Sequence, residues 1–179
     1  MRYASIRKMD ISNGDGIGIS LFVQGCHLHC PNCFNKETWS FDGGKAWTED
    51  VRNKFVKMAT CDHIKRVSIL GGEPLSIENL DDVYSLVKDI KKVVPKKYIW
   101  IYTGYTWEEI MFPITFGCMD GNNDWIFTRQ KIISECDVLV DGEYNHSLKD
   151  DNYPWAGSTN QRVIDIQKSI KEKSIVLYE

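Results

Sequence analysis

Apolar residues recur along this chain in two periods that alternate from the N-terminal part to the C-terminal part. Short β-branched or apolar runs at 17–23, 66–70, 98–102 and 137–140 read as strands. Between them lie stretches with apolar residues at helical spacing. Thr48 is placed to cap a helix over 49–59 that carries Val51, Phe55, Val56 and Met58. Asn79 is placed to cap the clearest helix, where Leu80, Val83, Leu86, Val87, Ile90 and Val94 recur at a period of 3.6 before Pro95 stops it. Thr106-Trp107-Glu108-Glu109 is a capping box opening a short helix, and a further helix is expected over 126–134. A polar, Gly- and Asn-rich loop is expected over 117–124. The segment 162–178 reads as a short strand, a charged helix and a last strand.

Strands alternating with helices mean βαβ units and a mostly parallel sheet. The 179 residues hold about five such units, against the roughly 250 residues of a closed eight-unit barrel. The expected fold is therefore α/β, an incomplete, open (β/α) barrel in a single domain spanning 1–179. In such sheets functional groups gather beyond the C-terminal ends of the strands. Cys26, Gly71-Gly72, Thr103-Gly104 and Asp141-Gly142 each directly follow an expected strand, so they are expected to converge on one edge.

Composition narrows the function classes. The net charge is −3 and no basic block exceeds the doublets Lys91-Lys92 and Lys96-Lys97, which argues against a nucleic-acid surface. No apolar run approaches a membrane span, and the N-terminal residues carry no apolar h-region, so no signal peptide is expected and a cytoplasmic location is. In a reducing compartment the six cysteines are not read as disulfides.

Three of the cysteines form Cys26-His27-Leu28-His29-Cys30-Pro31-Asn32-Cys33, a C-x3-C-x2-C pattern on a loop after a strand. Three thiolates leave one iron of a four-iron cluster without a protein ligand, whereas ferredoxin-type clusters normally take four cysteines. An open position is what substrate-binding metal chemistry needs. The alternative on spacing is zinc held by the three cysteines and His27 or His29; zinc sites usually add a second Cys/His pair downstream, and His63 and His146 stand alone. Cys61, Cys118 and Cys136 read as ordinary thiols.

C-x3-C-x2-C after a first strand, followed by a strand and Gly71-Gly72-Glu73-Pro74, resembles the radical S-adenosylmethionine (SAM) superfamily. That resemblance implies a barrel of the radical SAM type and a [4Fe–4S] cluster on Cys26, Cys30 and Cys33 whose open iron chelates SAM. By position it implies Asn32, Cys33 and Phe34 near the adenosyl part, and Gly71, Gly72 and Glu73 near the methionyl part. The superfamily usually has an aromatic residue just before the third cysteine; here Asn32 takes that place and Phe34 follows. Five further segments resemble the activating proteins of anaerobic (class III) ribonucleoside-triphosphate reductase. They are Cys33-Phe34-Asn35-Lys36-Glu37-Thr38-Trp39, Asp10-Ile11-Ser12-Asn13-Gly14-Asp15-Gly16, Ile101-Tyr102-Thr103-Gly104-Tyr105, Val138-Leu139-Val140-Asp141-Gly142 and Gly157-Ser158-Thr159-Asn160-Gln161-Arg162. Asp15 departs from the Pro of many relatives, and the 117–124 loop reads as an insertion.

The implied activity is reductive cleavage of SAM to methionine and a 5′-deoxyadenosyl radical, which takes a hydrogen atom from a glycine of the reductase. A flavodoxin or ferredoxin is the implied electron donor, and no side chain is assigned as a general base. Two alternatives stay open: an activator of a different glycyl-radical enzyme, and a non-catalytic zinc or electron-carrier protein. Thr103 reads equally as a SAM contact or a turn residue, Asp141 as a turn or a site residue, and Asn13–Gly16 as a turn or a lip of the pocket. Asn160, Gln161 and Arg162 read as a polar network closing the pocket, or Arg162 as a partner of a surface carboxylate.

Overall fold

A computed structural model describes residues 1–113 and 124–179; Cys118 and most of the expected 117–124 loop lie outside the described residues. The strands are β1 (Arg2–Asp10), β2 (Gly18–Val23), β3 (Lys45–Ala46), β4 (Arg66–Gly71), β5 (Tyr98–Tyr102), β6 (Val138–Asp141) and β7 (Arg162–Asp165). The helices are α1 (Glu49–Ala59), α2 (Leu80–Val93), α3 (Trp107–Met111), α4 (Asp124–Glu135) and α5 (Ile166–Glu172). All seven strands join one open sheet in the order β3-β1-β2-β4-β5-β6-β7. The four central strands β2, β4, β5 and β6 run parallel, while β1, β3 and β7 add antiparallel edges.

Local signals account for most of these elements. Thr48 accepts a hydrogen bond from the Val51 amide, and Thr106 with Glu109 forms both halves of a capping box. Asn79 precedes α2 as expected but makes no cap. Its side-chain amide instead donates to the carbonyls of Gln24 (3.1 Å) and Glu73 (3.0 Å), tying the exits of β2 and β4 together. β1 has no clear strand pattern in the sequence, because its solvent-facing Ser5, Arg7, Lys8 and Met9 blur the alternation that marks a strand. The last expected strand is reduced to a bridge between Ile164 and Leu177.

Side chains alternate across the central strands and give the sheet two unlike faces. Ile19, Leu21, Val23, Val67, Ile69, Ile99, Ile101, Leu139 and Ile164 point into one core with all five helices. Right-handed crossovers place successive helices on the same side of a parallel sheet, which is why this face takes them all. The opposite face carries Ser20, Phe22, Arg66, Ser68, Leu70, Trp100 and Tyr102. Among the described residues, loops cover it, with a small cluster of Trp100, Val138, Val140 and Val163 under Trp155 and Tyr178. No described helix is long and apolar enough to cross a membrane.

Candidate functional site

The exit of β2 leads into the cysteine loop, and both ends of that loop are fixed. The amides of Gly25 and Cys26 donate to the carbonyls of Thr38 and Trp39 at 2.7 and 3.0 Å, and the Gln24 side chain donates to the Glu37 carbonyl at 2.9 Å. Within the loop His29 and Asn32 adopt left-handed backbone angles, φ 51° and 57°. Asn and His are among the non-glycine residues that enter this region most readily. The reversals bring Cys26, Cys30 and Cys33 onto the wall of one cavity of about 570 Å³.

All three thiols are free, with Cys26 and Cys30 buried. Burial pushes both thiols above their ordinary pKa. Soft thiolate ligands in a confined space suit iron–sulfur or zinc chemistry, and metal binding there must release the protons that burial retains. The histidines separate these two. His27 turns away to Glu78 (2.8 Å) and the Phe41 ring, and His29 stacks on Trp39 at 4.5 Å. Neither lines the cavity, so neither completes a zinc tetrahedron with the cysteines. Among the described residues no three His, Cys, Asp or Glu side chains gather around one metal-ion position. Three thiols along one wall, each free to take its own iron, fit a cluster better than a single ion.

The strand ends meet the cysteines from the other side. Gly72 lies so close to the β2 exit that a Cβ there would come within 2.4 Å of the Gly25 carbonyl oxygen. Its amide donates to the Val23 carbonyl at 2.9 Å, and the Glu73 amide to the Gly25 carbonyl at 2.7 Å. Glu73 is fully buried, and its side chain points toward the next strand. Its carboxylate accepts from the Leu75 amide, the Thr103 hydroxyl and the Gly104 amide, each at 2.8 Å. Burial raises its pKa, and those three donors and the Arg129 charge pull against the rise. Glu73 thus braces the Gly71-Gly72 turn against the Thr103-Gly104 turn. Its backbone, Gly71, Gly72, Thr103 and Gly104 all lie along the cavity.

Phe34 is exposed at the rim, against Tyr144 with ring centroids 4.8 Å apart, and it lines the cavity. Asn32 is exposed and lies outside the cavity lining. Ser12 and Asn13 reach the cavity, so the turn after β1 is a wall of it. Asp15 is exposed and does not line it.

A strap bordering the cavity left little trace in the sequence, unlike Asp141, Asn160, Gln161 and Arg162. Residues 150–157, including Tyr153 and Trp155, form this strap over the open face of the sheet. Gln161 holds that strap: its side-chain oxygen accepts from the Gly157 amide, and its nitrogen donates to the Gly142 carbonyl, both at 2.9 Å. Asn160 donates to the Glu143 carbonyl at 2.8 Å. Arg162 spans buried Asp141 (3.0 Å) and exposed Glu108 (2.7 Å), while Asp141 accepts the Trp107 amide at 2.7 Å. Asp141 is therefore a brace for the end of β6. Arg129 is sandwiched between Tyr105 and Trp125 and donates to the Leu75 carbonyl at 2.8 Å. Cys61 is exposed and Cys136 buried, both apart from this wall.

Comparison with known proteins agrees with this geometry. Residues 12–164 match the family model of a 4Fe-4S single cluster domain. Anaerobic ribonucleoside-triphosphate reductase-activating proteins of Salmonella typhi and Escherichia coli are each 34% identical over 91% of this chain and 97% of their own length. The protein of that name from Enterobacteria phage T4 is 30% identical over 91% of this chain and 93% of its own.

Proposed function

The chain belongs to the family of anaerobic ribonucleoside-triphosphate reductase-activating proteins. On that premise we propose that it activates such a reductase by installing a glycyl radical, using a [4Fe–4S] cluster on Cys26, Cys30 and Cys33 together with SAM. The single observation that carries the reading is the convergence of three free thiols with the Gly71–Glu73 and Thr103–Gly104 backbones on one cavity. Cluster and SAM, when bound, supply reductive cleavage of the sulfonium to methionine and a 5′-deoxyadenosyl radical that takes a hydrogen atom from the reductase glycine.

The residues of the chain bind, orient and shield. Cys26, Cys30 and Cys33 would hold the cluster and leave it a position open to SAM. The backbone of Gly71, Gly72 and Glu73 would hold the methionyl part, with the Glu73 side chain fixing that backbone's path. Phe34 would flank the adenosyl part at the rim, and Asn32 shapes the loop through its left-handed backbone. The strap at 150–157 and the buried Phe22 and Leu70 keep water from the reacting atoms. The one-sided helix layer and the bare inner face support an incomplete, open barrel of the radical SAM type as the frame. A flavodoxin or ferredoxin is the proposed one-electron donor.

Anaerobic reconstitution with iron and sulfide, then reduction in the presence of SAM, tests this. The expected result is the visible absorbance of an iron–sulfur cluster and release of 5′-deoxyadenosine and methionine. With the reductase added, a glycyl radical appears by EPR. Changing any one of Cys26, Cys30 or Cys33 to Ala is expected to abolish SAM cleavage; cleavage that survives in such a variant, or a colourless zinc protein, overturns the reading. A radical formed only on a different glycyl-radical enzyme would reassign the partner.

A further inference from the structure

One wall of the cavity, at Ser12 and Asn13, is built on a buried ion pair that the proposed chemistry does not use. Asp10 ends β1 and Arg66 opens β4, and the side chain of each is 1% exposed. Arg66 donates to the Asp10 carbonyl (2.9 Å), to its carboxylate (3.2 Å) and to the Ser68 hydroxyl (2.6 Å). Ser68 in turn donates to the Asn13 carbonyl at 2.6 Å. The Asp10 carboxylate accepts the amides of Ser12 and Asn13 at 2.9 Å each and the Asn13 side-chain amide at 2.7 Å. Gly14, with φ +124°, lies on this pair, where a Cβ would come within 2.8 Å of both Arg66 and Trp100. The turn is thus pressed against the open face of the sheet by one guanidinium and one carboxylate.

Stability alone does not explain such a pair, since buried ion pairs are often no better than apolar residues of similar volume. What the pair does fix is place. The Asn13 carbonyl is held on Ser68, three residues before Gly71 and on the order of 10 Å down the strand. Ser12 and Asn13 therefore form the floor of the cavity, below the strand ends, with Arg7 beside them at the edge of the sheet. An occupant the size of SAM, lying across the strand ends at the cysteines, leaves the floor for the second reactant. The Ser12 hydroxyl and the Asn13 side-chain oxygen, whose amide nitrogen is held by Asp10, suit the amides of a polypeptide main chain, and a glycine adds no side chain to clash with Phe22 or Leu70.

We propose that Asp10 and Arg66 are positioning residues that hold Ser12 and Asn13 as the seat for the glycine segment of the reductase. The inference rests on the activation reaction proposed above. Asp10 remains charged in this role: burial would raise its pKa, but the hydrogen bonds of Asn13, Ser12 and Arg66 prevail and hold it at about 2.

The test uses the reconstituted holoprotein and measures glycyl radical formed per 5′-deoxyadenosine released, together with the affinity for the purified reductase. A loss of folded protein or of SAM cleavage cancels in that ratio, so a merely structural role does not move it. Arg66→Met is expected to lower the ratio by about tenfold or more, because a misplaced reactant loses its attack geometry, and to weaken reductase binding. Arg66→Lys, which keeps the charge beside Asp10, is expected to recover part of both. Asn13→Ala, which keeps Asp10 and Arg66 and removes one hydrogen bond to the Asp10 carboxylate, is expected to lower the ratio in the same direction and decides the matter if Arg66→Met does not fold. An unchanged ratio in Asn13→Ala overturns the inference, as does a ratio unchanged across both Arg66 variants. Wild-type protein that releases no deoxyadenosine overturns the proposed function instead, so the two failures are distinguishable.

Discussion

The two faces of the central sheet follow opposite rules. Toward the helices, Ile19, Leu21, Val67, Ile69, Ile99 and Ile101 are all aliphatic and sealed from solvent. On the opposite face the same strands offer Ser20, Phe22, Arg66, Ser68, Trp100 and Tyr102, and loops and a cavity take the place of helices. The first face carries stability by burying apolar area, which needs size and shape but no particular partner. On the second, Arg66 and Ser68 depend on particular partners, and other polar groups reach none. The hydroxyls of Ser20 and Tyr102 are buried without a hydrogen bond among the described residues. One face is generic and the other specific, so damage to each should look different.

The largest effect expected on stability is on the helix side. Leu86 in α2 is fully buried in the main core. Leu86→Ala is expected to lower the unfolding free energy by about 2–5 kcal/mol, through lost burial and the cavity left behind. Urea denaturation measures this, and SAM cleavage per folded molecule should hold. A variant of unchanged stability but impaired cleavage would break the division between the faces.

The next effect lies on the polar face and depends on pH. The carboxyl of Asp10 is held at about 2 against an ordinary 3.8. A depressed acid stabilises the fold above its ordinary value, and that contribution fades as pH falls through 3.8 toward 2. The loss amounts to about 2 kcal/mol. Asp10→Asn is expected to flatten that part of the stability profile, read as the difference between wild-type and variant urea midpoints across acid pH. Parallel profiles in the two proteins would mean that the pair does not carry the charge-dependent stability assigned to it.

The contrast between the faces also explains what could be read in advance. Helix α2 and strands β2, β4, β5 and β6 are legible because burial against a layer imposes a period, and the period survives in the sequence. Cys26, Cys30 and Cys33 are legible as a group because the metal ligation proposed for them needs a fixed residue type at fixed spacing. The brace from Glu73 to Thr103 and Gly104 was hidden, because its partners lie 30 residues away and no local pattern encodes the contact. Asn79 has the residue type of a cap and stands in its place, yet its amide nitrogen is committed to two nearby carbonyls, and its oxygen accepts no helix amide. The strap at 150–157 has neither period nor motif; it follows the shape of the open face, including Trp155 wedged against Trp100 and Tyr178.

The smallest effect expected is at the rim, where the two regions meet in a single side chain. Arg162 serves two carboxylates of unlike exposure, Asp141 at 1% and Glu108 at 55%. The buried partner also accepts the Trp107 amide that opens α3, so its role is tied to the fold. The exposed partner adds charge to a guanidinium already satisfied by Asp141, in a setting that water and salt screen. Arg162 holds Glu108 below its ordinary pKa, with burial opposing, so Glu108 is ionised at neutral pH and Glu108→Gln removes a real charge. The expected cost is about 0–1 kcal/mol by urea denaturation, shrinking further at high salt. A larger and salt-independent loss would show that Glu108 and Asp141 act as one unit. The specific face would then extend outward to α3, beyond the cavity that defines it here.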